Sequence, residues 1–218
     1  MADYDGDGHL DLVSGSSCCQ GEDFFLFYVF FRKQDGSFAD RRKIILEYPL
    51  TNPTSWNDGF DTSGLRSKVS PADWNCDGQM DIIIGGNTSV LAVAWGPLAR
   101  KDKLKVELIW PTDETPFKRM TTNPCLADWD GDGLADLIVG GELENDSVWR
   151  IYWFPNVGTK NKPKLAEPQP LLSDRRPRLR TTGICVADWN GDGHQDLIAS
   201  RKEGNKHNRV WVYLRQSP

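Results

Sequence analysis

Short apolar runs alternate with polar, Gly-rich stretches along the 218 residues, and none keeps the three-to-four-residue spacing of an amphipathic helix. Leu12-Val13, Ile82-Ile83-Ile84, Leu137-Ile138-Val139 and Leu197-Ile198 each predict a short strand closed by Gly or Ser. A second predicted strand follows each one: FFLFYVFF from Phe24, SVLAVAW from Ser89, VWRIYWF from Val148 and RVWVYL from Arg209. These are rich in the aromatic and β-branched residues that suit a pleated, half-buried surface. KIILEY from Lys43 and KVELIW from Lys105 predict third strands that lead through polar loops to the next unit. The apolar stretch Phe24 to Phe31 is far short of a membrane span and predicts a buried strand.

The runs recur because the sequence repeats. ADYDGDGHLDLVSG from Ala2, ADWNCDGQMDIIIGG from Ala72, ADWDGDGLADLIVGG from Ala127 and ADWNGDGHQDLIAS from Ala187 align without gaps up to their strands. The first Asp of each falls at 3, 73, 128 and 188, giving periods of 70, 55 and 60 residues. That is much longer than a nonapeptide β-helix repeat and close to a four-stranded propeller blade with variable loops. A lone small sheet cannot bury both faces, so successive units are expected to pack on one another.

Numbered from its first Asp, each loop carries a carboxylate or amide at positions 1, 3, 5 and 9 and Gly at position 6. Loop 1 has Asp3, Asp5, Asp7 and Asp11; loop 2 has Asp73, Asn75, Asp77 and Asp81. Loop 3 has Asp128, Asp130, Asp132 and Asp136; loop 4 has Asp188, Asn190, Asp192 and Asp196. Alternate side chains in a tight turn converge on one point, and Gly at position 6 permits the bend that brings them there. The position-7 carbonyl, of His9, Gln79, Leu134 or His194, would complete the donor set. Hard oxygen donors in that number suit Ca²⁺; Mg²⁺ favours a stricter octahedron with more water, and zinc favours His and Cys. Without a cation the clustered carboxylates would repel one another. Position 3 is an amide in loops 2 and 4, which removes a charge and predicts weaker binding there. Cys76 replaces Gly at position 4, where no ligand is needed, and reads as a spectator thiol. The EF-hand shares the opening but needs a bidentate Glu at position 12 on a helix; position 12 here is Ser14, Ile84, Val139 or Ala199, in a strand. A structural role for up to four Ca²⁺ follows, each tying together the hairpin that carries it.

Charge is unevenly spread. The net charge is −5, yet 14 of the 31 acidic residues lie in the four loops, leaving 17 against 26 Lys and Arg. Those basic residues are scattered among loops and strand edges rather than gathered with aromatics on one face, which argues against nucleic-acid binding. Five cysteines do not make a disulfide framework. Cys125 and Cys185, each three residues before a loop's first Asp, are expected as small buried thiols on inner strands; Cys18 and Cys19 fit either a vicinal disulfide or two free thiols. No catalytic constellation emerges. His9 and His194 sit where only a carbonyl contributes, and His207 is expected in a polar turn. The loops account for the paired carboxylates, so the chain is expected not to be an enzyme.

The pattern D-x-[DN]-x-D-G-x-x-D-[LI] followed by a short apolar strand resembles the FG-GAP and VCBS repeats of integrin-like β-propellers. The likeness covers nearly the whole chain. The literal Phe-Gly and Gly-Ala-Pro signatures are missing, which favours the bacterial VCBS-like branch; YWFPNVGTKNKPKLAEP from Tyr152 is similar to blade connections in secreted bacterial repeat proteins. The resemblance implies an all-β β-propeller of four-stranded antiparallel blades, each calcium loop joining the first two strands of a blade. The expected blades span 1–50, 64–110, 118–173 and 178–216 in one domain. The first lacks most of its inner strand and the last its outer one, which favours a partial ring, or one completed by a second copy or missing blades, over a closed four-blade ring.

The resemblance also implies work outside the cell, in the periplasm or at the cell surface; the N-terminus Met-Ala-Asp-Tyr-Asp has no signal-peptide pattern. The expected function is a non-catalytic calcium-binding scaffold for an extracellular protein or glycan ligand, in adhesion for instance, with neither membrane insertion nor nucleic-acid binding. The alternative is a carbohydrate-binding lectin, or the propeller part of a secreted polysaccharide-degrading enzyme. Nine Trp suffice to stack on sugars, though Trp149, Trp153 and Trp211 lie in strands where packing is expected. Candidate ligand loops are 14–23, 85–89, 140–147 and 200–208, with linkers near 51–68, 111–120 and 173–181; the 51–68 insertion holds Trp56, Asp58, Phe60 and Asp61.

Overall fold

The computed structural model describes residues 1–15, 26–47, 68–85, 91–98, 101–110, 117–120, 124–143, 149–173, 181–203 and 207–215. The Cys18–Cys19 pair and nearly all of the 51–68 insertion lie outside the described residues, as does much of the other candidate ligand loops. Every described element is a strand, and among the described residues no helix is long and apolar enough to cross a membrane. The chain divides into two compact units, residues 1–73 with 77–114 and residues 74–76 with 115–218.

The first unit holds β1 (Leu12–Gly15), β2 (Leu26–Phe30), β3 (Arg42–Glu47), β4 (Lys68–Ala72), β5 (Asp81–Gly85), β6 (Leu91–Ala94), β7 (Lys103–Lys105) and β8 (Glu107–Trp110). They form two four-stranded sheets, ordered β1-β2-β3-β7 and β4-β5-β6-β8. Ile82, Ile83 and Ile84 of β5 are all buried, as expected of an unbroken apolar run covered on both faces. Phe27, Val29, Ile44 and Leu46 of the one sheet and Ile82, Ile84, Ala92 and Ala94 of the other share a single core with Tyr4. Each sheet thereby buries the face it could not bury alone.

KVELIW is not one strand. It breaks at Val106, whose N–H donates to the Glu47 carbonyl at 3.1 Å. The residues before it, in β7, pair parallel with β3, while those after it, in β8, pair with β6. Leu104, Val106 and Leu108 alternate without interruption through the break, and all three pack on the shared core; the side-chain pattern therefore carries no sign that the chain changes sheets.

The second unit holds β9 (Phe117–Met120), β10 (Cys125–Ala127), β11 (Asp136–Leu143), β12 (Trp149–Phe154), β13 (Gln169–Ser173), β14 (Thr181–Ala187), β15 (Asp196–Glu203) and β16 (His207–Tyr213). One sheet runs β10-β11-β12-β13 with β9 added against the far end of β11, and the other is β14-β15-β16. β9 lies in a stretch expected as linker, and His207 opens a strand instead of lying in a turn, paired with Glu203. The blade strands following each loop, and their hairpin partners, are where the sequence places them. The architecture is all-β, four small blade-type sheets antiparallel apart from the β3–β7 pair. Among the described residues they are not uniformly four-stranded: the third has five strands and the last has three. The first sheet has no inner strand before β1, only a bridge between Ala2 and Asp11.

Candidate metal-binding loops

Each loop is closed by the same pair. The Ala before position 1 faces the position-9 Asp across the hairpin, as Ala2–Asp11, Ala72–Asp81, Ala127–Asp136 and Ala187–Asp196. Between them the backbone turns sharply. Position 6 has φ from +82° to +88° in all four copies, the left-handed bend that Gly was expected to supply.

Position 4 is left-handed as well, with Gly6, Gly131 and Gly191 at +78°, +85° and +76° and Cys76 at +53°. A Cβ built on the position-4 or position-6 glycines meets nothing within 4 Å, so the backbone angle alone favours Gly there. Cys76 is thus an exposed, free thiol held in a conformation L-residues adopt at a cost. The two φ values pull the N–H groups of the turn inward. The position-1 carboxylate receives them: Asp3 accepts from Gly6 (2.8 Å), Asp7 (3.1 Å) and Gly8 (2.9 Å). Asp188 accepts from Gly191, Asp192 and Gly193 at 2.8, 3.1 and 2.9 Å. Asp73 accepts from Asp77 and Gly78, and Asp128 from Gly131 and Gly133, while in loop 3 the Asp132 N–H donates to Asp130 at 3.2 Å. The position-5 carboxylate accepts the position-7 N–H at 2.8 Å in every loop, from His9, Gln79, Leu134 and His194.

Position 9 does something the spacing does not reveal. Asp11, Asp81, Asp136 and Asp196 are buried at 1% exposure or less. Asp11 accepts from Tyr4 at 2.9 Å with one oxygen and from Arg32, beyond the end of β2, at 2.8 Å with the other. Asp136 accepts from Trp129 (3.0 Å) and Asn156 (2.7 Å), and Asp196 from Trp189 (2.9 Å) and Arg215 (2.8 Å). Asp81 accepts from Gly96 at 2.9 Å. In loops 1, 3 and 4 one carboxylate thus clips the head of the loop to the second residue past the blade's next strand. Burial raises the pKa of Asp11 and Asp136 above the ordinary aspartate value; nearby carboxylates, Asp5 and Asp7 for the one and Asp130 for the other, push the same way, and the backbone N–H bonds oppose them. A carboxylate buried among carboxylates is stabilised by a cation.

In loop 1 one carboxylate oxygen from each of Asp3, Asp5 and Asp11 lies within 4.8 Å of the others, and in loop 3 so does one from each of Asp128, Asp130 and Asp136. Positions 1, 3 and 9 therefore converge as expected, while position 5 (Asp7, Asp132) stands outside that tightest group. Loops 2 and 4, with Asn75 and Asn190 at position 3, form no equally tight three-carboxylate group among the described residues. In loop 4 the Asn190 amide nitrogen instead donates to Asp192 at 2.9 Å, and the Asn190 oxygen accepts the Asp192 N–H at 3.0 Å. That amide is the main reason the Asp192 carboxyl lies below its ordinary range. The donors are all oxygen and several are anionic, which fits a hard divalent cation.

The model of the FG-GAP-like repeat matches residues 3–84 and 128–199, two segments that include all four loops and more than half of the chain. The chain belongs to the FG-GAP-like repeat family. No curated protein matches it.

Within this FG-GAP-like chain the position-2 residue is aromatic in every copy, a regularity in the sequence whose meaning the fold supplies. Tyr4 is buried edge-on to Phe27 and Phe31, with ring centroids 6.3 and 6.1 Å away. Trp129 lies under the Arg215 guanidinium, 5.2 Å from its ring centroid, and accepts a hydrogen bond from it. Trp189 is 63% exposed. The two cysteines expected as equivalent buried thiols differ. Cys125 is half-buried and burial pushes its thiol up to about 11, whereas Cys185 is exposed.

Proposed function

We propose that this chain is a non-catalytic, calcium-binding extracellular scaffold that holds out its inter-strand and inter-blade loops to a protein ligand, as in adhesion. The observation that carries the reading is the convergence of three carboxylates within 4.8 Å in loops 1 and 3, on a backbone bent by left-handed glycines. Calcium, when bound, would neutralise those charges and stiffen the hairpin. The holding residues would be Asp3, Asp5, Asp7 and Asp11 with the His9 carbonyl, and Asp128, Asp130, Asp132 and Asp136 with the Leu134 carbonyl. Asp73, Asn75, Asp77, Asp81 and Gln79, and Asp188, Asn190, Asp192, Asp196 and His194, would play the same parts in loops 2 and 4. Open strand-type sites of this kind fill at the millimolar calcium found outside cells, which supports an extracellular, periplasmic or surface location.

The carboxylates have a structural use in this reading, and no catalytic role remains for them. The scattered basic residues give no footprint for nucleic acid. A second copy, or further blades, is a candidate partner beside the three-stranded last sheet. Trp189 and Trp211, 63% and 37% exposed, favour a glycan ligand as the second reading, since exposed indoles stack on sugar rings.

The tests are direct. The chelator-stripped protein is melted with and without millimolar calcium; a higher Tm with calcium is expected, because a cation bound only by the folded chain stabilises it by mass action. An unchanged melt refutes the calcium assignment. Pull-down of extracellular proteins and a glycan array, each with and without EDTA, separate the ligand classes: captured protein with a silent array supports the scaffold, and specific sugar binding supports the lectin.

A further inference from the structure

We propose that the face of the β1-β2-β3-β7 sheet turned away from the core is a docking surface for an acidic polysaccharide. The proposal rests on the glycan reading above, to which it adds the charge of the ligand and the place where it lies. Residues 40–47 and 101–105 carry six Lys and Arg against three acids, in a chain whose net charge is −5. The two segments are far apart in sequence. The parallel pairing of β3 with β7 sets them side by side, with Ile45 opposite Lys103 and Glu47 opposite Lys105.

Alternation along each strand decides which way the charges point. Ile44, Leu46 and Leu104 are buried in the shared core, so Lys43, Lys103 and Lys105 lie on the opposite face. Tyr28 pairs with Lys43 and shares that face, between the buried Phe27 and Val29. The Arg41 guanidinium rests on the Tyr28 ring, 4.7 Å from its centroid. Of the three acids, Asp102 bonds Arg42 at 2.6 Å, Glu47 lies 3.9 Å from the Lys103 ammonium, and Asp40 precedes the strand.

The cations are not a by-product of the repeat. The matching face of the second sheet, with Ile82, Ile84, Ala92 and Ala94, is apolar and packs on the core. Where that sheet sets Leu108 opposite Ala92, the first sets Lys43 opposite Tyr28. Lysines on an edge strand also discourage edge-to-edge pairing, which accounts for Lys103 and Lys105 on β7 but not for Lys43 on β3 or for Arg41.

The chemistry of the face selects the partner. Arg41 is held by the ring beneath it, so its planar fork is oriented in advance for a carboxylate or a sulfate. Lys103 and Lys105 are exposed and project about 7 Å apart along the strand. Such a row of charges on an open sheet face complements a polymer with anions on successive sugars. Single-stranded nucleic acid would need open aromatic rings for its bases, and the Tyr28 ring has Arg41 over it.

The test measures binding of the full chain to heparin, polygalacturonate, neutral dextran, polyglutamate and single-stranded DNA, at low and high salt, in EDTA and in calcium. Heparin or polygalacturonate should bind in both buffers more tightly than the other polymers, and salt should weaken the binding. The double variant Lys103→Glu with Lys105→Glu should lose about tenfold or more in affinity, and Arg41→Ala about threefold. The control is Lys160→Glu with Lys162→Glu, which makes the same change in net charge at exposed positions of the other unit and should bind nearly as the wild type does. Circular dichroism checks the fold; should the double variant unfold, Lys105→Gln decides in its place. An equal loss in the control, or binding of the acidic polysaccharides only with calcium present, overturns the proposal. So does tighter binding of DNA or polyglutamate, which would give the face to another class of polyanion. Binding of dextran alone overturns it while leaving the glycan reading in place, and no binding of any polysaccharide removes both.

Discussion

Asp136 accepts N–H bonds from Trp129 at the head of its loop (3.0 Å) and from Asn156 just past β12 (2.7 Å), in a site 1% exposed. Asp136→Asn keeps the side chain's shape and puts an NH₂ where one of the two acceptor oxygens was. One backbone donor is then left buried without an acceptor and faces another donor. A buried unsatisfied group costs about 1–3 kcal/mol, so in excess chelator, where no ion contributes, the variant should lose about 2 kcal/mol. Part of the loss is offset because the neutral amide escapes the burial that raises the Asp136 pKa. Asp132→Asn is the control: its carboxylate is exposed and accepts from Leu134 at 2.8 Å, so its loss in chelator should be small. The assay is urea unfolding followed by tryptophan fluorescence, in EDTA and in saturating calcium, with separate transitions fitted separately if the two units unfold independently. Unfolding of Asp136→Asn at the wild-type urea concentration in EDTA would refute the reasoning, since the two short bonds would then hold nothing. A loss seen only with calcium present would make Asp136 a ligand and nothing more.

Cys76→Gly relieves a left-handed L-residue at φ +53° with no side-chain contact to be made, and should raise stability by about 1 kcal/mol or less once Gly's greater unfolded freedom is set against it; an unchanged or lower urea midpoint counts against the strain. Arg215→Ala removes a cation stacked 5.2 Å from the Trp129 centroid and a bond to its carbonyl, so a loss of about 1–2 kcal/mol and a shift in tryptophan emission are expected; an unaltered spectrum would contradict the stacking. Because Asp11 and Asp136 are raised, the folded chain holds their protons more tightly than the unfolded chain does. In EDTA their contribution to stability therefore falls as pH rises through the window just above the ordinary aspartate value of 3.8. Stability of Asp11→Asn should thus rise more steeply with pH across that window than the wild type's, and parallel curves would show that the burial is not felt.

Much of the candidate site is written in the chain. Carboxylates two residues apart, Gly at position 6 and an apolar run from position 10 specify a loop and its strand through local bonds alone, since Asp3 reaches Gly6, Asp7 and Gly8 without help from any distant residue. The same local rule could have exposed position 4, where Gly recurs in three copies, but Cys76 in the fourth hides the requirement until its φ is known. Position 2 is aromatic four times over, yet only packing distinguishes buried Tyr4 from exposed Trp189.

What needed the tertiary structure was every choice between equivalent partners. Position 9 reads as one more ligand because a sequence places it near its own loop; its second oxygen is committed to Arg32, Asn156 or Arg215, 19 to 21 residues on, and that distance is closed only when the hairpin forms. KVELIW splits between two sheets because alternating side chains suit either neighbour, and it is the backbone's hydrogen bonds that select β3 for one half and β6 for the other. Cys125 and Cys185 occupy matching places in matching repeats, but burial belongs to what lies against a strand. Local hydrogen bonding is set by residues within one turn of each other, so the sequence determines it; pairing and burial depend on surfaces brought together from far along the chain, and those only the folded molecule decides.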